Sequence, residues 1–143
     1  MTTPWQDFLT QQDARIDDSN LINFGCDARD EIHSNQDKLA LVSLDQLGVI
    51  QVRGEDAQSF LQSQLSNDIT LLNDTSSQLS AYCNPKGRIL AQFLVMPENS
   101  NYILILPLNI IEKTLQRLRM FVMRSQVELI DVSSERICFG LTG

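Results

Sequence analysis

Two apolar runs, Leu79–Cys83 and Ile89–Met96, stand on either side of Asn84-Pro85-Lys86-Gly87, with Arg88 next in line. Pro85 fixes its own φ and Gly87 permits φ > 0, so the four residues predict a tight turn between antiparallel strands. A chain committed to that hairpin needs a layer to cover the sheet it starts. The turn also presents Lys86, with a second cation, Arg88, opening the following strand.

The covering layer is legible as two amphipathic helices. The first opens at Gly54-Glu55-Asp56 and lines one side with Ala57, Phe60, Leu61 and Leu65. Asp56, or Gly54 before it, is placed to serve the open N–H groups at its start. Gln64-Leu65-Ser66-Asn67-Asp68-Ile69-Thr70 closes it. The second is predicted from Asn109-x-x-Glu112, a capping-box pattern. Its buried stripe is Ile111, Leu115, Leu118 and Val122, with Lys113, Arg117 and Arg124 on the wet side.

Strands are expected at Leu39–Leu44, at Val49–Arg53 after a Leu47-Gly48 turn, and at Gln78–Cys83, Arg88–Met96 and Tyr102–Leu106. Val127–Ile130 and Arg136–Leu141 complete the set. Arg88–Met96 is apolar nearly throughout, which predicts a central strand covered on both faces. Helices crossing between strands of a mostly antiparallel sheet define an α+β layered domain.

The 143 residues, 43% hydrophobic, suffice for one core. Charge divides the chain unevenly. Residues 1–37 carry eight acids against two arginines, a net of −6, whereas residues 38–143 carry ten acids and nine bases, a net of −1. The organisation expected is an acidic segment over 1–37 and a domain over 38–143. Within the acidic segment, Trp5, Phe8, Leu9 and Ile16 predict a helix over 4–16. Polar clusters at 17–20 and 34–37 predict a lead-in loop that packs Leu21, Ile22 and Phe24 on the domain.

Neither part is built to hold a polyanion by counterion release, so direct nucleic-acid binding is not expected. No apolar run reaches the length of a membrane span, and no basic-then-apolar leader opens the chain, so a cytoplasmic protein without membrane contact is expected. Cys26, Cys83 and Cys138 are far apart and lack CxxC spacing, which predicts reduced thiols and no metal site. The single histidine, His33, lies in a polar loop with no partner to make it a general base.

The order of helix, Asn67-Asp68 pair and Cys83-Asn84-Pro85-Lys86-Gly87-Arg88 turn resembles the YgfZ-like, folate-binding branch of the GcvT (glycine-cleavage T-protein, aminomethyltransferase) superfamily. The resemblance runs from about Leu39 to Gly143. It implies a ferredoxin-like βαββαβ core with extra strands and the bound cofactor tetrahydrofolate. It also implies a role as an accessory protein for iron–sulfur cluster assembly or repair, and thereby for tRNA modification, with iron–sulfur enzymes or assembly proteins as partners. The implied folate-binding residues are Leu47, Asn67, Asp68, Cys83, Asn84, Lys86 and Arg88. At Leu47 some relatives present an aromatic residue that could stack on a pterin.

The alternative is a tetrahydrofolate-dependent aminomethyltransferase. Those enzymes carry Gly-Gly-Ile-x-Asp-Asp where this chain has Gly87-Arg88-Ile89-Leu90-Ala91-Gln92. Ala91-Gln92 thus replaces the catalytic carboxylates, which favours the accessory role and implies no catalytic residue. The relatives' Lys-Gly-Cys-Tyr-x-Gly-Gln-Glu motif falls beyond Gly143, so the resemblance implies the N-terminal part of a longer protein. Plainer readings stand beside each assignment. Cys83 also suits a buried small hydrophobe, Asn67-Asp68 a helix C-cap and turn, and Lys86 and Arg88 a solvated turn.

Overall fold

The computed structural model describes residues 4–17, 22–27, 29–30, 33 and 39–142. The polar clusters at 18–20 and 34–37, Leu21, and the expected boundary between 37 and 38 lie outside them. The chain forms two compact units, residues 46–136 and residues 1–45 with 137–143.

The larger unit contains a five-stranded antiparallel sheet. In chain order its elements are β4 (Leu47–Arg53), α2 (Ala57–Gln64), β5 (Gln78–Cys83), β6 (Ile89–Glu98), β7 (Asn101–Pro107), α3 (Ile111–Arg119) and β8 (Glu128–Asp131). Across the sheet the order is β5-β6-β7-β4-β8. Without β5, the remaining strands give the ferredoxin-like 4-1-3-2 arrangement of a βαββαβ core, and β5 is the extra edge strand. The expected α+β class and its specific form are both present.

One face of this sheet is sealed by the helices. Ile50, Val52, Tyr82, Phe93, Val95, Leu104, Leu106 and Leu129 from the strands pack with Ala57, Phe60 and Leu61 of α2 and Ile111, Leu115 and Leu118 of α3. Period-two burial along β6 puts Ala91, Phe93 and Val95 inside, while Gln92 is exposed and Leu94 and Met96 are half-buried on the other face. β6 is therefore flanked by strands on both sides, as expected for a central strand. Its second face is only partly covered.

Several local expectations are corrected. Leu47 opens β4 instead of standing in a turn, pairing with Pro107 of β7. The Asn109 capping box does not form. Leu108 N–H donates to the Gln46 carbonyl at 2.8 Å, and residues Leu108–Ile110 tighten into a 3₁₀ turn, so the N-cap position falls on Ile110 with no side-chain cap. α3 ends at Arg119, so Val122 and Arg124 belong to the turn that follows it. At α2 the Gly54 carbonyl accepts from Ala57 N–H at 3.1 Å, whereas the Asp56 carboxylate accepts from Gln126 N–H at 2.8 Å. Asp56 thus joins the helix start to the residues before β8 instead of capping the helix.

In the smaller unit, α1 (Pro4–Gln11) is shorter than the helix expected over 4–16. Asp13 takes φ 65° and turns the chain into β1 (Arg15–Ile16), which pairs with β2 (Ile22–Asn23), so Ile16 is a strand residue. β3 (Ala40–Ser43) pairs antiparallel with β9 (Phe139–Thr142). Trp5 stacks on Phe8 at 5.4 Å and donates from Nε1 to Ser43 Oγ at 3.0 Å.

Candidate functional site

The hairpin joining β5 to β6 is built around Asn84. Its Oδ1 accepts from the backbone N–H of Lys86 and of Arg88, each at 3.0 Å. Its own N–H donates to the Arg88 carbonyl at 2.9 Å, and its carbonyl accepts from Gly87 N–H at 2.9 Å. Gly87 adopts φ 75°, the left-handed conformation that closes the turn. Asn84 is half-buried, and Pro85, Lys86, Gly87 and Arg88 are exposed. A register shift accompanies the turn: Tyr82 pairs with Ala91 but Cys83 with Ile89, leaving Leu90 as the extra residue of a bulge. The result is a backbone fixed at four hydrogen bonds that carries two cations into solvent. Among the described residues, neither Lys86 nor Arg88 forms an ion pair.

Asn67 and Asp68 have structural employment. Asn67 N–H donates to Ser80 Oγ at 3.1 Å, and its side-chain amide donates to the Leu79 carbonyl. Ser66 exchanges bonds with Ala81, through N–H to its carbonyl at 2.9 Å and through Oγ from its N–H at 3.0 Å. Residues 65–67 thereby cover the outer edge of β5, an edge that would otherwise be open to another strand. Asp68 caps the 3₁₀ turn Ile69–Leu71, accepting from the Thr70 hydroxyl at 2.6 Å and from Thr70 N–H at 2.9 Å. Those two bonds, the hydroxyl first, hold its carboxyl below the ordinary aspartate value. Asn67-Asp68 is therefore not the C-cap of α2; Leu65 occupies that position.

Cys83, Asn84, Lys86 and Arg88 are thus brought together by one hairpin. Leu47 lies at the same end of the sheet, with β7 between β4 and β6, about 10 Å from β6 at the usual strand spacing. Asn67 bonds β5 at Ser80 and Leu79, three and four residues back from Cys83, about 10–13 Å along the strand. Leu47 and Cys83 are half-buried. A depression of about 510 Å³ in this unit is lined by Leu72, Asp74 and residues 97–102 and includes none of the candidate residues. None of the three cysteines forms a disulfide, and burial, then Asp45, raises the Cys138 thiol above its ordinary value. The described residues contain no cluster of metal-ligating side chains. No described helix is long and apolar enough to cross a membrane.

The feature that sequence reasoning missed is the role of Asn84 as the hub of the turn. An Asn two residues before Lys and four before Arg, followed by Pro, is the local signal that could have shown it.

Residues 23–143 match the family of the GCVT N-terminal domain. This chain belongs to that family. It is 33% identical over 106 residues to the tRNA-modifying protein YgfZ of Photobacterium profundum, covering 74% of this chain and 32% of the relative. It is 30% identical over 114 residues to an aminomethyltransferase of Shouchella clausii, covering 79% of this chain and 31% of the relative. The crystal structure of the glycine cleavage system aminomethyltransferase T from Bartonella henselae superposes with TM-score 0.82 at 18% identity, covering all of this chain and 40% of that one. The chain spans about a third of the length of the curated relatives it matches.

Proposed function

We propose that this chain is the folate-binding N-terminal portion of a YgfZ-type accessory protein that supports iron–sulfur enzymes, including enzymes that modify tRNA. The observation that carries the reading is the Asn84-organised turn, which holds Lys86 and Arg88 exposed on a fixed backbone. Folate is an anion at its glutamate end. Two cations on a rigid turn suit that carboxylate, because little conformational freedom remains to be lost on binding. The chain's residues therefore fit the tail of a tetrahydrofolate. Asn84 supports this indirectly, since its side-chain oxygen is occupied by the turn. Asn67 and Asp68 shape the neighbouring edge strand.

The competing reading, an aminomethyltransferase, draws support from the relatives that bear that name. At 91 and 92, where the enzymes resembled here carry aspartates, Ala91 faces the helices at 3% exposure and Gln92 is neutral. Neither residue supplies a carboxylate to orient a folate amine, and this favours the accessory role.

Calorimetric titration of the longest form of the protein with tetrahydrofolate tests the reading. Charge reversal at Lys86 and Arg88 is expected to weaken binding at least about tenfold, the scale of one lost charged hydrogen bond. Unchanged affinity would remove the turn from the folate site. Robust folate-dependent aminomethyl transfer by the same protein would favour the enzyme reading instead.

A further inference from the structure

The β5–β6 ladder does not reach its turn in regular register. Residues Gln78 to Tyr82 pair in step with Val95 to Ala91, but the next pair is Cys83 with Ile89, which leaves Leu90 as the extra residue. Leu90 and Ala91 therefore stand together opposite Tyr82. All three serve the helix-covered face: Tyr82 and Ala91 are core residues, and Leu90 packs against the same core. Bulges beside functional sites act by re-aiming a side chain. The side chain re-aimed here is Ile89.

Regular register would pair Cys83 with Leu90 and turn Ile89 toward the core. The bulge reverses this. Leu90 is drawn inward, and Ile89 joins Cys83 on the face away from the helices, where it is 64% exposed. One further step brings the ladder to Asn84 and Arg88, joined by Asn84 N–H to the Arg88 carbonyl at 2.9 Å and by Arg88 N–H to Asn84 Oδ1 at 3.0 Å. Arg88 is thus anchored to the ladder directly beside Ile89. A lone exposed isoleucine is ordinary, but this one is brought out by a register shift and adjoins two cations on a fixed turn. Cys83 and Ile89, cross-strand neighbours with Cβ atoms about 5 Å apart, make an apolar strip that one flat ring can cover.

We propose that Leu90 is a positioning residue and Ile89 a binding residue: the bulge sets Ile89 beside Cys83 as the seat of the aminobenzoyl ring of a folate whose glutamate carboxylates meet Lys86 and Arg88. In a folate that ring is joined directly to the glutamate. Ile89 follows Arg88 by one strand step of about 3.3 Å, so ring and tail fall on adjacent residues. The proposal rests on the folate reading above and adds to it an apolar contact that the cations do not supply.

Calorimetric titration of the longest form of the protein with tetrahydrofolate and with p-aminobenzoyl-glutamate, at low and high salt, tests it. Ile89→Ser should weaken both ligands about tenfold, the scale of one lost aliphatic contact. It should leave the salt dependence of binding as in the parent, because the charges stay in place. Ile89→Leu should bind like the parent. Deletion of Leu90 restores regular register, turns Ile89 inward and should weaken binding as Ile89→Ser does. Leu90→Met, which keeps a side chain of similar volume in the bulge, should not. Thermal melts identify a variant that fails to fold, and the two variants of the exposed Ile89 decide the proposal if the deletion does not fold. K86E/R88E, by contrast, should weaken binding and remove most of its salt dependence. If that double reversal weakens binding and Ile89→Ser does not, the folate reading stands and this proposal is overturned. Loss of salt dependence in Ile89→Ser would also overturn it, since the side chain would then be supporting the turn instead of touching the ring. No binding of either ligand by the parent would overturn both.

Discussion

Asn84 Oδ1 and Arg88 N–H are 3.0 Å apart, and the Arg88 carbonyl returns the contact by accepting from Asn84 N–H at 2.9 Å. This reciprocal pair closes the β5–β6 hairpin and fixes where the Arg88 side chain departs. Asn84→Ala removes both bonds that Oδ1 accepts. The expected loss of stability is about 1–2 kcal/mol, reduced by the solvent that reaches the freed N–H groups, and Asn84→Asp should retain most of it. Urea melts check this. A change within error for Asn84→Ala would mean the turn is held by Pro85 and Gly87 alone.

Two glycines in left-handed conformation should respond differently to alanine. At Gly54, φ is 120° and an added Cβ would lie 2.0 Å from the Gln126 carbonyl oxygen, a backbone atom that cannot move aside cheaply. At Gly87, φ is 75° and nothing lies within 4 Å. Gly87→Ala should therefore lose only the backbone preference, about 1 kcal/mol. Gly54→Ala should lose several times that and separate Asp56 from Gln126. Equal thermal shifts for the two variants would contradict this account.

Phe60 and Leu115 seal the helix-covered face from α2 and α3, at 3% and 5% exposure. Phe60→Ala or Leu115→Ala should destabilise by about 2–5 kcal/mol through lost burial and a residual cavity. Denaturant midpoints measure it, and a loss below about 1 kcal/mol would mean these side chains are not core.

The depressed carboxyl of Asp68 gives a pH dependence of known sign. Its contribution is fully present above the ordinary aspartate value near pH 4 and is lost as the pH falls through its lower folded value. Asp68→Asn should therefore lower stability at neutral pH and flatten the acid side of the profile below about pH 4. Parallel profiles for the two proteins would show that Thr70 does not bias Asp68.

What was legible in the sequence was what local pattern controls. Period-two and 3.6-residue repeats gave the strands and both helix stripes, because Phe93, Val95, Phe60 and Leu115 must share a sealed face. The β5–β6 turn was legible because Pro85 and Gly87 act within a few residues, whereas the part Asn84 plays in holding it was not read. Asn67 was not, since its bonds run to Leu79 and Ser80, more than ten residues away and meaningful only once β5 is an edge. The side-chain caps failed for a similar reason, although the Gly54 carbonyl serves the start of α2 as expected. Gln46 captures Leu108 N–H, and Gln126 captures the Asp56 carboxylate, so distant partners override the local caps.

The most direct test of the account is complementation of a strain lacking the homologous protein by the longest form of this one carrying K86E and R88E together. Both side chains are exposed and make no ion pair among the described residues, so the melting temperature should be nearly unchanged. The account predicts a folded protein that no longer sustains iron–sulfur enzyme activity. Full complementation by the double reversal would contradict it.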